Sequence, residues 1–266
     1  MKTKWWLVAG LVAIVIIVVG LFGHRTTTTR PSDEDQPQIT ANFVNPAKIA
    51  VISKFRSCQG HIVVPQDGSE PRSNMKHYLY LKKEFTAARR QVELYAPFDG
   101  YVSDIYQGDK DFSDRHESSR DLTISQKKGL TARSAWGFTF LHIEPRDGLK
   151  EGQKVTAGDL LGYVSLELIP PYYAFDVAYA KMGTFPKKID KWNSPYAKLD
   201  SAFGQATEAV IAEYRELGAK SASDFVIDQA TRQASPCQYG PDGRSFDTNR
   251  DGDWDNDWIG KLENAV

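Results

Sequence analysis

The chain has 266 residues, with 33 Lys and Arg against 34 Asp and Glu, a formal net charge of −1, and 41% hydrophobic residues. That is enough to bury one good-sized core with a small appendage. The balanced charge offers no strongly basic face, so a nucleic-acid partner is not expected.

Trp5 to Gly23 is a run of 19 residues without a charge, close to the roughly 20 that cross a bilayer as a helix. A cleaved signal peptide has a shorter apolar core and a small-x-small cleavage site. Leu21-Phe22-Gly23-His24 is a poor one. Residues 1–25 are therefore expected to be a cytoplasmic stub and an uncleaved transmembrane anchor. Trp5 and Trp6 would lie in the aromatic belt and Lys2 and Lys4 inside. The result is a single-pass protein with its domain outside the cytoplasm. Residues 26–45 are Thr-rich, then acidic and Pro-containing, and read as a flexible linker.

A mainly β domain is expected over 46–190. Lys48 to Phe55, Ile62 to Pro65 and Met75 to Leu81 read as strands; in the last, His77, Leu79 and Leu81 share one face and Tyr78 and Tyr80 the other. Val92 to Ile105 reads as two strands around the turn Pro97-Phe98-Asp99-Gly100. Gln107 to Arg120 is polar and should be an exposed loop. Asp121 to Ser125 and Gly137 to Ile143 are further strands. They lead into Leu149 to Val164, LKEGQKVTAGDLLGYV, two short strands with Gly152 and Gly158 at the turns. Tyr172 to Tyr179 is the last strong strand signal.

Beyond it the period changes. Ser194-Pro195 looks like a helix start, and Leu199, Phe203, Ala206, Val210, Ile211, Tyr214 and Leu217 fall at helical spacing before Gly218. With a second helix over Ser221 to Gln233, residues 191–235 form an expected helical extension. Residues 236–266 form an acidic tail.

The two half-motifs, APFDGYVSDI and LKEGQKVTAGDLLGYV, resemble those of barrel-sandwich hybrid folds. Their order, with FTFLHI between them and YYAFDV after them, resembles the lysostaphin-type (LytM-like) zinc peptidases. That resemblance implies a β domain that binds zinc through HxxxD and HxHFE motifs. HxxxD falls on His77-Tyr78-Leu79-Tyr80-Leu81, and HxHFEv on Tyr172-Tyr173-Ala174-Phe175-Asp176-Val177. His142 stands where the family has a further His. Leu81 and Ala174 offer no electron pair, and a catalytic zinc needs three protein ligands. Zinc is therefore not expected, and a groove lined by His77, His142, Tyr172 and Asp176 is expected to bind without catalysis.

Biotinyl and lipoyl carriers and membrane-fusion adaptors share the half-motifs. The carrier reading lacks a modifiable Lys on a hairpin, and the adaptor reading lacks a heptad-patterned hairpin.

In the tail, Asp247, Asn249 and Asp251 followed by Gly252 resemble the start of a calcium loop, with Asp255 and Asp257 as further oxygen donors. The plain alternative is a solvated acidic segment. Cys58 and Cys237 are the only cysteines. Outside the cytoplasm a disulfide between them would tie the C-terminal segment to the start of the β domain; otherwise they are two small unpaired residues.

The expected function is envelope binding or regulation, with peptidoglycan or an envelope protein as partner. The alternatives are an active zinc endopeptidase with a rearranged site and an adaptor subunit.

Overall fold

The structure, a computed structural model, describes residues 36–107, 119–166, 173–247 and 254–261. The chain divides into a unit Met1–Gln36 and a unit Pro37–Val266. The expected anchor Trp5 to Gly23 lies outside the described residues, and among those described no helix is long and apolar enough to cross a membrane.

The second unit is mainly β, an open antiparallel sheet with few helices. Its strands are β1 (Ile49–Ser53), β2 (His77–Leu81), β3 (Glu93–Tyr95), β4 (Gly100–Tyr106), β5 (Arg120–Ser125), β6 (Trp136–Pro145), β7 (Lys154–Val155), β8 (Leu160–Val164), β9 (Ala174–Ile189), β10 (Trp192–Asp200) and β11 (Trp258–Gly260). The main path runs β11-β1-β2-β9-β6-β5-β4-β7; β10 pairs with β9, and β8 pairs with β6 and β3. The two half-motifs interlock, because β3 pairs with β8 and β4 with β7. Gly152 and Gly158 take positive φ of 77° and 88° at the turns flanking β7, where a side chain would be strained.

One face of the sheet carries the core. Leu79, Leu81, Val102, Leu122, Ile124, Phe138, Phe140, Phe175, Val177 and Tyr179 are buried together with Phe43, Phe203, Tyr214 and Phe225. Phe203 stacks on Phe225 with ring centroids 3.9 Å apart. Burial of each such ring stabilises the fold by about 1.5–3 kcal/mol.

Several expectations change. The fold begins before Pro46: Ile39, Phe43 and Val44 are fully buried, and Ile39 bridges Ala206. The apolar residues of ITANFV suffice to dock what otherwise reads as linker. Residues 192–200 form β10 rather than a helix, since Leu199 pairs with Ala180 and Trp192 with Ile189. Pro195 is tolerated there because the register shifts on both sides of Tyr196.

The residues at helical spacing downstream are buried, except for the half-buried Ala206 and Leu217, but they share no single helix. Only Glu208–Ala212, capped by Thr207, is helical, followed by a 3-10 turn at Arg215–Leu217. Likewise the expected helix over Ser221 to Gln233 splits into a 3-10 turn, Ala222–Phe225, and a helix, Gln229–Ala234. Between them Ile227 N–H donates to the Phe55 carbonyl, taking the backbone out of helical bonding. A further change is at the C-terminus, where β11 is an edge strand of the main sheet, with Ile259 opposite Ile52.

Candidate functional site

The other face of the sheet is built from small and polar side chains. On β9, Asp176, Ala178, Ala180 and Met182 alternate with the core residues Val177 and Tyr179. Ala180 lies opposite Gly137 and Ala178 opposite Thr139, and Thr139 faces Thr123 on β5, with their hydroxyls 2.9 Å apart. Gly137, Thr139, Thr123 and Ala180 line a cavity of about 440 Å³ walled by Tyr106, Tyr196, Met182 and Leu130.

A bulge organises the end of this face. On one side of β6 the pairs are Phe140 with Leu122 and Ile143 with Arg120. Leu141 and His142 together therefore oppose Asp121. His142 takes a φ of 63°, the left-handed region that His tolerates better than most residues. Its N–H, lost to the ladder, donates to Asp121 Oδ1 at 3.2 Å. Here β6 also leaves β9, its last partner there being Asp176, and joins β8. The side chain of His142 is thereby brought to 3.5 Å from Asp176 Oδ1.

Asp176 is fully buried, and its Oδ2 accepts from the Nζ of Lys76, itself 4% exposed. Burial works against the Lys76 ammonium, but Asp176, aided by Tyr78 and Tyr196, overrides it and raises its pKa. Burial likewise opposes the Asp176 carboxylate, yet Lys76 and then His142 hold its pKa below the usual carboxylate range. The two shifts agree on a charged pair. Burial raises Asp121, against the pull of His142. Burial also raises Tyr196, a cavity-lining residue within electrostatic reach of Lys76, Asp176 and Asp121. His61 stacks on Trp192 at 4.1 Å between ring centroids. Its pKa is lowered to about 4 by burial and by Lys76.

Of the expected groove residues, His142 and Asp176 come together. Tyr172 lies outside the described residues. His77 does not belong to the groove: it pairs with Val177, whereas Tyr78 pairs with Asp176, so His77 points to the opposite face. There it packs edge-on against Phe203, centroids 4.9 Å apart. Nδ1 lies 2.8 Å from the Ser53 carbonyl and Nε2 3.0 Å from Ser201 Oγ. A carbonyl only accepts, which assigns the proton to Nδ1. Burial lowers the pKa of this imidazole to about 4.

The side chains facing Asp176 from this part of the chain are thus Lys76 and Tyr78, one residue out of step with the motif spacing. Period-2 alternation in MKHYLYL was the signal for them. Asp121, His61, Tyr106 and Tyr196 come from separate elements and carry no local signal. Among the described residues, no group of three or more His, Cys, Asp or Glu side chains is placed to hold a metal ion.

No family model matches the chain, and no curated protein does. Solved structures do show similarity. The chain is similar to Helicobacter pylori Csd3 at 14% identity, over 47% of this chain and 32% of that one, with a TM-score of 0.28. It is similar to a zinc containing peptidase from Vibrio cholerae at 16% identity, over 54% and 37%, TM-score 0.35. It is also similar to the catalytic domain of the prophage-encoded M23 protein EnpA from Enterococcus faecalis at 13% identity, over 62% and 95%, TM-score 0.33. The chain spans about a third of the Helicobacter and Vibrio proteins.

In the C-terminal region, Cys58 and Cys237 are joined by a disulfide, their Cα atoms 5.3 Å apart. Asp257 Oδ1 accepts from Arg232 Nη2 at 2.7 Å and its Oδ2 from the Cys58 N–H at 2.5 Å. Asp247 lies at the end of the described segment, its N–H donating to the Gln238 carbonyl. Asn249 and Asp251 lie outside the described residues, as does the side chain of Asp255.

Proposed function

We propose that the chain is a membrane-anchored, extracytoplasmic LytM-like module that holds envelope peptide in the groove of its polar sheet face and does not hydrolyse it. The observation that carries this is the Lys76–Asp176 pair. A hydrolytic zinc takes three protein ligands and an open position. Here Asp176 is already committed to an ammonium, and a dication beside Lys76 would meet like charge in a buried site. The residues present do not fit zinc. What the face offers instead is a cavity with a floor of small side chains and tyrosine walls, suited to an extended chain. The disulfide supports the extracytoplasmic placement, since such bonds persist in oxidising compartments.

Co-sedimentation of the full chain in detergent with insoluble peptidoglycan tests this. The expected result is retention without release of soluble fragments, with retention lowered about tenfold by Thr139→Phe, which fills the cavity floor. Fragment release would favour the endopeptidase reading. Absence of retention would favour an adaptor or a purely protein partner.

We also propose that the tail binds calcium through Asp247, Asn249, Asp251 and Asp255. Asp257, whose two oxygens are taken by Arg232 and Cys58, is not among the ligands in this conformation. Calcium is expected to shift the fluorescence of Trp254 and Trp258, and Asp251→Ala to abolish the shift. No heat at millimolar calcium in a calorimetric titration would leave the solvated acidic segment.

A further inference from the structure

In the β9–β10 hairpin Met182 lies opposite Tyr196 and Lys187 opposite Ser194, so residues 183–186 of β9 are matched by Pro195 alone. Neither Pro186 nor Pro195 has an N–H to give the ladder. Gln66 closes the bulge instead. Its Nε2 donates to the Phe185 carbonyl at 2.7 Å and to the Ser194 carbonyl at 2.9 Å, and its side chain fills the space where a Cβ on Gly183 would stand. The bulge turns out five consecutive exposed residues, Thr184 to Lys188, with Phe185 78% exposed. Lys187 donates to the Gln66 carbonyl at 2.9 Å, and Lys191 sits over the Tyr239 ring, 5.3 Å from the centroid. Asp190 is offset by Arg72. Asp67 and Asp242 act on Lys187 and Lys191, and Lys187, Lys188 and Lys191 against these two leave the tip positive.

An exposed ring beside ammoniums suits an anionic bilayer, where the ring lies at headgroup level and the ammoniums meet lipid phosphates. A folded partner fits less well, because a specific interface covers about 800 Å² on each side, more than five residues offer. In the membrane-anchored reading a bilayer is also the surface to which the chain is already tied, since residues 24–38 alone separate the expected anchor Trp5 to Gly23 from the buried Ile39.

We infer that the β9–β10 tip docks on an anionic lipid surface, with Phe185 among the headgroups and Lys187, Lys188 and Lys191 on the lipid phosphates. This rests on the membrane-anchored reading above and adds a second contact with the bilayer. The tie to the bilayer matters, because one ring and three ammoniums hold a surface weakly by themselves.

The test reconstitutes the full chain in vesicles with brominated acyl chains, made either of phosphatidylcholine or of phosphatidylcholine and phosphatidylglycerol at about three to one, a composition that supplies the anionic surface. Phe185→Trp adds one emitter at the exposed tip, and its signal is the difference from the native chain. That added emission is expected to be quenched by about half in the anionic vesicles and by less than about a tenth in the neutral ones, the quenching falling as salt rises. Adding Lys187→Gln, Lys188→Gln should bring the anionic value down to the neutral one. Glutamine retains a donor for the Gln66 carbonyl, so this loss would report charge rather than a disturbed bulge. Equal quenching in the two vesicles, or quenching that survives the glutamine substitutions, overturns the inference. Flotation of the native chain with phosphatidylcholine vesicles at high salt reports the anchor separately. Flotation without quenching at the tip overturns the inference and leaves the anchor intact; failure to float overturns both.

Discussion

Lys76→Met is expected to destabilise the protein by about 3–5 kcal/mol at pH 7, because it leaves the fully buried Asp176 without its counter-charge. The pH dependence should invert with it. In the native protein the folded pKa of Asp176 is depressed. Its contribution is therefore present above the unfolded value of about 3.9 and is lost as pH falls through the folded value. Without Lys76 only His142, 3.5 Å away, acts against the desolvation of the same carboxylate, so its folded pKa rises above the unfolded one. The variant should then regain stability, relative to the native protein, as pH falls and Asp176 takes a proton. Urea unfolding of both proteins at pH 7 and pH 4.5 measures this. Lys76→Met combined with Asp176→Leu should recover most of the loss, since replacing both members of a buried pair by apolar groups is often near neutral. A loss below about 1 kcal/mol for Lys76→Met at pH 7 is the size expected of a solvated pair and would contradict a buried one.

The second large effect is expected at the disulfide. Cys58 and Cys237 are 179 residues apart, a closure that the chain-entropy model values at about 5 kcal/mol. The bond also lies inside a charged network. Arg232 donates to the Arg56 carbonyl, to the Ser235 carbonyl and to Asp257, and Asp257 in turn accepts from the Cys58 N–H. Opening the disulfide frees the segment that positions Arg232 and, through Asp257, the edge strand β11. Cys58→Ala with Cys237→Ala is therefore expected to lower stability by about 2–5 kcal/mol and to increase hydrogen exchange at Trp258 to Gly260 first. Thiol labelling of native, unreduced protein should find no free cysteine; two labelled thiols would contradict the bond.

Much of the sheet was legible because its signals are local. Val92 to Ile105 and Leu149 to Val164 pair turn residues with alternating apolar ones, and they fold into β3, β4, β7 and β8. The 192–200 stretch misled for a physical reason. Leu199, Phe203, Val210 and Tyr214 are core residues brought together by β10 and several short turns, and burial at those positions imitates the spacing of one amphipathic helix.

The site was half legible. His142 and Asp176 stand out as polar residues in apolar strands, but the bulge that aims His142 depends on its pairing with Asp121, some twenty residues earlier. The HxxxD match at His77 has the parity of the core face, not of the polar face. In a strand, an error of one residue exchanges core for surface, and the partner register with Val177, which settles the parity, is a tertiary fact. Lys76 therefore carries no motif signal, although it supplies the charge around which the cluster is arranged.

The measurement closest to the central claim is the metal content of the full chain, purified without chelator and dialysed against zinc, with muropeptide release assayed on the same sample. Less than one-tenth of an equivalent of zinc and no release are expected, because Leu81 and Ala174 offer no electron pair and the ammonium of Lys76 already holds the buried Asp176. One equivalent of zinc, with cleavage lost in His142→Ala, would contradict it.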